Sequence, residues 1–291
     1  MSGPTEPFGL LVVDKPSGIT SHDLVARARK ATSTKKIGHA GTLDPLATGV
    51  VVLALGRATR LIRYIQEQDK EYVATVRFGI ATDTLDADGV ETDRAPMSFD
   101  RHDLITALDL FRGEIEQIPP MVSALKHEGK RLYEIARTGG EVDRTPRQVT
   151  IHELELNEFV PSDFSRAELR IVCSKGTYIR SLADDLARTL GGRAHLLALR
   201  RTRVGIFGLE GALGADDLDS WKGHLRDPVE AVAGLSEWRA SDEEVDAVRH
   251  GRRLPSPSNA AGHWAILDRD DRLLAVYRQR GREAVAEVVL A

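Results

Sequence analysis

Between Glu71 and Gly79 the chain alternates without a break. Tyr72, Ala74, Val76 and Phe78 fall on one side, and Val73, Thr75 and Arg77 on the other. Side chains that change face at every residue belong to a strand with one buried face. The pattern returns at Ala167, Leu169, Ile171 and Cys173. Segments of helical period lie between and after these strands. One starts at a Thr20 or Ser21 cap and runs to about Ala31, with Leu24, Val25 and Ala28 inward. A second carries Leu104, Ile105, Leu108 and Phe111 and ends at Gly113. A third carries Ile179, Leu182, Leu186 and Leu190 and stops at Gly191-Gly192. Leu10–Val13 reads as a strand entering the turn Asp14–Gly18, and Val50–Leu55 as a buried strand or a short helix. Strands and helices mixed in this way predict an α+β main domain.

The C-terminal part differs. A boundary is expected between Leu213 and Ser241, where acids and short segments crowd. Beyond it, Trp264–Leu267 and Leu273–Tyr277 flank the turn Asp268–Asp271 as a hairpin, and Val285–Leu290 forms a last strand. The expected division is 1–232 and a small β-rich unit at 233–291. A chain of 291 residues fits two domains at roughly 150 residues each.

Composition excludes several classes. Cys173 is the one cysteine, so there is no intrachain disulfide and no Cys-rich structural zinc site. The start lacks a basic region followed by an apolar run, and the longest aliphatic stretch, Val50–Leu55, is far short of the ~20 residues that span a bilayer. No membrane association is expected, and the lone cysteine fits a reducing, cytoplasmic location. The net charge of −4 hides an uneven distribution. Residues 1–60 carry 8 Lys/Arg against 4 Asp/Glu, and 165–210 carry 9 against 4, so basic faces are available to a phosphate ligand.

Gly38-His39-Ala40-Gly41-Thr42-Leu43-Asp44-Pro45-Leu46-Ala47-Thr48-Gly49 is the most unusual stretch. Its glycines allow tight turning, and Pro45 drives Asp44 into an extended conformation. Asp44 is either a reactive side chain on a stiff loop or a turn aspartate that bonds its own backbone. Tyr72 is either a core aromatic or a site residue. Arg180 falls in the first turn of a helix, where a cation opposes the dipole and an anion could compensate. From Met121 to Tyr133, Lys126, Lys130 and Arg131 interleave with His127 and Tyr133, which suits phosphate contact with stacking or a plain amphipathic surface.

Taken together and in order, these segments resemble the TruB family of tRNA pseudouridine synthases, which act on the T-loop uridine at tRNA position 55. The resemblance spans most of residues 9–210. It is carried by Asp14–Gly18 with Ser21, the Gly38–Gly49 loop, Lys70-Glu71-Tyr72, Thr82–Gly89, Ser123–Lys126, Cys173–Arg180 and Leu199-Arg200-Arg201. Ala40 departs from the threonine of many members, and Val122 from the tyrosine of some. The resemblance implies a pseudouridine synthase fold, a mixed and largely antiparallel sheet flanked by helices, with a C-terminal PUA-like domain.

The resemblance also implies roles. Asp44 is the essential aspartate, as nucleophile, electrostatic support or base. Arg180 pairs with it. Tyr72 stacks on the target base and assists proton removal at C5. Tyr178 and Leu199 line the pocket, Lys15 supports the loop, and His39 fills the gap left by the flipped uridine. Lys126 is expected to bind substrate. No cofactor or metal is expected, because the isomerisation loses no atom and changes no oxidation state. The expected partner is the tRNA T-arm, bound by a monomer without an obligate protein partner. Two further functions stay open: a tRNA-folding chaperone, and the catalytic subunit of a guide-RNA pseudouridylation complex. A glycosidase lacks a convincing second catalytic carboxylate.

Overall fold

The computed structural model of the chain describes residues 7–123, 126–127, 130–131, 140, 142–256 and 262–290. The alternating strand is Lys70–Phe78. It sits inside the main sheet, antiparallel to Ala194–Val204 on one side and to Arg166–Cys173 on the other. From one edge, the sheet runs Leu213–Gly214, Gly9–Lys15, Thr48–Leu55, Ala194–Val204, Lys70–Phe78, Arg166–Cys173, Arg147–Val160 and Gly113–Gln117. Ile37–His39 adds to Thr48–Leu55, and Phe207–Gly208 to Ala194–Val204.

Among the described strands of this sheet, two pairings are parallel: Gly9–Lys15 with Leu213–Gly214, and Thr48–Leu55 with Ala194–Val204. The second is short, matching Arg200 to Thr48 and Arg201 to Gly49. It joins two antiparallel halves at one place. Gly49, at φ 105°, is required there, because a Cβ would lie 2.1 Å from the Arg201 carbonyl oxygen.

The two faces of the sheet are covered differently. On one, Leu11, Val13, Leu53, Ala74, Val76 and Phe78 pack against the helices Ser21–Thr32, Arg101–Asp109 and Ile179–Thr189. On the other, Leu10, Val12, Val50, Val52 and Ala54 pack under Ala58, Leu61, Tyr64 and Ile65. Thr48–Leu55 is thus covered on both faces, which explains its uninterrupted apolar run and settles it as a strand. A second sheet, ordered Ser236–Arg239, His263–Leu267, Leu273–Arg280, Glu283–Val289 and Leu254–Pro255, contains the expected hairpin. One of its faces carries the helix Asp242–Arg249, with Val248 fully buried. The other face, through Ala265, Leu267, Leu273, Val276 and Val288, joins the core over Leu61 and Ile65. Arg60 donates to the Val289 carbonyl (2.7 Å) and Arg63 to Glu287 (2.9 Å) across the same contact.

Some local readings change. Thr20 is the N-cap, accepting from Asp23 N–H in a capping box. The Arg101–Asp109 helix ends before Phe111, and Ile105 stays 39% exposed because Leu104, Ala107 and Leu108 already fill the inward face. Ile37–His39 is a strand rather than loop, since its backbone pairs with Leu53–Leu55. No described helix is long and apolar enough to cross a membrane.

The continuous core generates a stability prediction. A chain cut after Val232 leaves Leu61 and Ile65 uncovered, so it should melt below the full chain and bind an apolar dye. Melting of residues 1–232 at the full-length temperature without dye binding would contradict this.

Candidate active site

Asp44 owes its position to backbone bonds on either side of it. Ala47 N–H donates to the Asp44 carbonyl (3.1 Å), closing a turn with Pro45 in the place where a fixed φ favours turning. Ser21, 1% exposed, brackets the preceding residue, accepting from Leu43 N–H (2.8 Å) and donating to Leu43 C=O (3.3 Å). Lys15, fully buried, donates through Nζ to Pro16 (2.9 Å), Ile19 (2.7 Å) and Pro45 (3.3 Å) carbonyls. Arg201, 1% exposed, donates to the carbonyls of Val50 (2.7 Å), Thr42 (3.3 Å) and Gly41 (3.2 Å). Two buried cations thus hold the loop by its carbonyls, each bond being worth roughly 1.5–3 kcal/mol. Burial lowers the Lys15 pKa to about 8, the Asp44 charge opposing and Arg201 reinforcing the shift.

Arg180 comes from the first turn of the Ile179–Thr189 helix, whose N-cap Tyr178 contributes no side-chain cap. Its Nη2 lies 3.0 Å from Asp44 Oδ2, and its Nη1 lies 3.5 Å from Asp86 Oδ2. It also donates to the carbonyls of Thr84 (2.8 Å) and Val122 (2.7 Å). The cation at the positive end of a helix therefore has its anions, two of them. Asp86 is buried and further engaged with Thr84 Oγ1 (2.6 Å) and Asp88 N–H (3.2 Å). Asp44 instead keeps 39% of its side chain open. Burial raises its pKa, Asp86 adds to the rise, and Arg180 and Lys15 pull it back. Asp44 is thus the solvent-facing carboxylate and Asp86 the structural one.

Tyr72 is 8% exposed and opposite Arg201 in register. Burial raises its hydroxyl pKa, Arg201 opposes the rise, and the Asp44 charge adds to it, so it rests as a phenol. Leu199, 7% exposed, pairs with Ala74 on the neighbouring strand and shares a core cluster with Tyr72 and Leu43. Tyr178 is half-buried; burial raises its hydroxyl pKa, with Arg180 and Asp44 close enough to act on it in opposite directions. His39 ends the Ile37–His39 strand, half-buried, with Nδ1 buried and lacking a hydrogen-bond partner among the described residues. Burial lowers its pKa. Asp44, Arg180, Tyr72, Tyr178 and Lys15 are therefore brought together. Leu199 flanks them, and His39 stands at the entry to the loop. Of Lys126 only the backbone is described, in a two-residue strand paired with Arg131.

Residues 29–179 match the family model described as TruB family pseudouridylate synthase, N-terminal domain. Residues 180–232 match a tRNA pseudouridylate synthase B C-terminal domain, and 236–291 a tRNA pseudouridine synthase II C-terminal domain. The chain belongs to the TruB family. A tRNA pseudouridine synthase B of Mycobacteroides abscessus is 42% identical over 100% of this chain and 98% of its own length. One of Thermobifida fusca is 43% identical over 97% and 98%. Among solved structures, a Cbf5-Nop10-Gar1 complex aligns at TM-score 0.75 and 26% identity, covering 100% of this chain and 90% of that one. The TruB chain accordingly has the pseudouridine synthase fold, α+β with a mixed, largely antiparallel sheet and a PUA-like C-terminal domain.

Sequence reasoning missed three residues of this TruB site. Asp86 and Arg201 stood inside the quoted motifs without a role, and Ser21 only as a candidate helix cap. Asp86 lies in an acidic, turn-rich stretch that resembles solvated surface, and Arg201 is one of two adjacent arginines. A signal existed for Arg201: its register position opposite Tyr72, visible once the two strands are paired.

The electrostatics generate two predictions. Arg180→Gln removes the largest downward influence on Asp44, so the Asp44 carboxyl should titrate higher, read by carbon NMR. Because folding raises the Asp44 pKa above 3.8, its contribution to stability is complete below that value and is lost as pH rises through the folded pKa. Asp44→Asn, always neutral, should then unfold at higher urea than the parent at pH 7 and show no such gain near pH 3. An equal or lower midpoint at pH 7 would contradict the sign.

Proposed function

We propose that this chain isomerises the T-loop uridine at tRNA position 55 to pseudouridine. The observation that carries the reading is the Asp44–Arg180 pair at 3.0 Å, its arginine buried and its carboxylate 39% open to solvent, beside a buried tyrosine. The reaction breaks the bond from ribose C1′ to uracil N1, turns the base, and rejoins it through C5. An ionised carboxylate at the sugar serves each form of that step: attack at C1′, support of positive charge there, or removal of a ribose proton. Arg180 keeps the carboxylate charged in a site that loses water when a base enters. Tyr72 offers a ring for the base to stack on. As a phenol it takes the C5 proton only by passing on its own.

The base must leave its stack to arrive. His39, neutral and at the loop's entry, has the size to occupy the vacated place. Lys30, Lys35 and Lys36 are exposed just ahead of it, with no ion pair among the described residues, and offer a track for phosphates. Leu199 and Tyr178 wall the pocket, and Lys126 is assigned to substrate binding from its place in the Ser123–Lys126 motif. The domain division at residue 232 follows the change from the mixed sheet to the five-stranded one. We read the enzyme as a cytoplasmic monomer that acts on tRNA unaided. The alignment with complexes containing Cbf5 makes the guide-dependent reading the one to test against it.

The decisive experiment maps pseudouridine in unmodified tRNA after treatment with pure protein alone; no product without added RNA or protein would overturn the stand-alone reading. With tRNA tritiated at uridine C5, Asp44→Asn should lose release by at least ~10²-fold while its affinity for tRNA changes little. Substantial turnover would remove Asp44 from its role. A folding benefit to tRNA that survives in this variant would add chaperone activity to catalysis. Binding should weaken steeply with salt, as expected when several phosphates are neutralised, and a flat response would remove the basic track.

A further inference from the structure

The residue just before Asp44 is bracketed by Ser21. The other half of the ion pair has a counterpart bracket, from a residue outside every motif noted in the sequence. Gln117 ends the edge strand Gly113–Gln117 and is 1% exposed. Its Oε1 accepts from Tyr178 N–H (3.0 Å), and its Nε2 donates to Tyr178 C=O (3.3 Å). The amide thus satisfies both backbone groups of one residue, as a neighbouring strand would. Tyr178 is the N-cap of the helix that carries Arg180, and its φ and ψ of −100° and 106° are not fixed by any side-chain cap of its own. Its N–H precedes the helix and has no partner within it. Next to this bracket, Ser181 Oγ donates to Ile118 C=O (2.9 Å) and Arg180 Nη2 to Val122 C=O (2.7 Å). The first helical turn is therefore aligned by residues 117–122, and Gln117 is, among the described residues, the side chain that bonds the backbone of its cap.

We propose that Gln117 is a positioning residue for catalysis: by clamping the Tyr178 backbone it sets the rotation of the first helical turn, and so the placement of Arg180 against Asp44 and of the Tyr178 ring against the substrate base. This rests on the reading of Asp44 and Arg180 given above. The energetic logic is geometric. Arg180 must meet Asp44, Asp86 and two carbonyls at once, and a small rotation of its helix start breaks that fit. Misplacement by about 1 Å is enough to cost roughly a hundredfold in rate. Ser181 and the core-facing Ile179 and Leu182 hold the helix body, so the clamp acts on the cap and not on whether the helix forms.

The test uses the full chain with tRNA tritiated at C5, in single-turnover mode. Gln117→Met keeps the length and removes both hydrogen bonds. The rate constant of the chemical step should fall roughly ten- to a hundredfold, with tRNA affinity changed less than about threefold. The acid limb of its pH profile should move upward, because a displaced Arg180 no longer holds the Asp44 proton off. The other charged or titratable groups that act on Asp44 are Asp86 and Lys15, with the Tyr72 and Tyr178 hydroxyls beside it; of these only the Tyr178 hydroxyl belongs to the residue that Gln117 clamps.

Gln117→Glu supplies a second reading if the first variant folds poorly. A protonated carboxyl donates to one Tyr178 backbone group and accepts from the other, as the amide does, whereas the ionised form repels the Tyr178 carbonyl. Its rate should therefore fall as pH rises through the introduced carboxyl's pKa, a limb absent from the parent. A parent-like rate for the folded fraction of Gln117→Met, a loss confined to tRNA affinity, or a Gln117→Glu profile parallel to the parent's would each overturn the proposal. Turnover by Asp44→Asn, measured alongside, would instead overturn the underlying reading of the site, and the clamp's catalytic role with it.

Discussion

A guanidinium buried at the start of a helix is the interaction around which this molecule is organised. Arg180 is 4% exposed and sits where the helix dipole is unfavourable to a cation. It is tolerable only because Asp44, Asp86 and two carbonyls surround it. Those partners come from three separate stretches of chain, around residues 44, 84–86 and 122. The sheet must bring them to one point, and the cost of leaving the charge unmatched ties their positions together.

The loop bearing Asp44 is held in a complementary way. Leu43 and Ala47 anchor it in the core. Its carbonyls are taken up by Lys15 and Arg201, both fully or almost fully buried, and its residue 43 by Ser21. Such bonds fix the backbone before any substrate is present, which is what an electrostatic site requires if its groups are not to reorganise during the reaction. The short parallel contact at Thr48-Gly49 and Arg200-Arg201 joins the two antiparallel halves of the sheet at the same point. Arg201 thus serves the fold through its backbone and the loop through its side chain. Gly49 makes the close approach possible.

The periodic elements were legible in the chain. Tyr72 to Phe78 and Ala167 to Cys173 alternate because one face of each strand is covered, and the stripe of Leu182 and Leu186 marks its helix for the same reason. Asp44 was legible through the glycines and Pro45 around it. Three things were not. Val50–Leu55 could not be told from a helix, because burial on both faces erases periodicity. Ile105 looked inward by spacing, but the helix is too short and already filled on its core side by Leu104 and Leu108. Asp86 looked like a solvated turn residue because its partner is contributed by a helix that starts 93 positions later in the chain.

By itself, then, the sequence determined the strands and helices that bury one face, where the stiff acidic bend lies, and which family its motifs resemble, since each of these depends on neighbours a few residues apart. Tertiary structure alone decided which carboxylate faces solvent, which two cations hold the loop, and that Gln117 clamps the cap of the Arg180 helix. Those outcomes depend on burial and on hydrogen-bond partners brought together from distant parts of the chain, and neither burial nor partner choice is a property of local spacing.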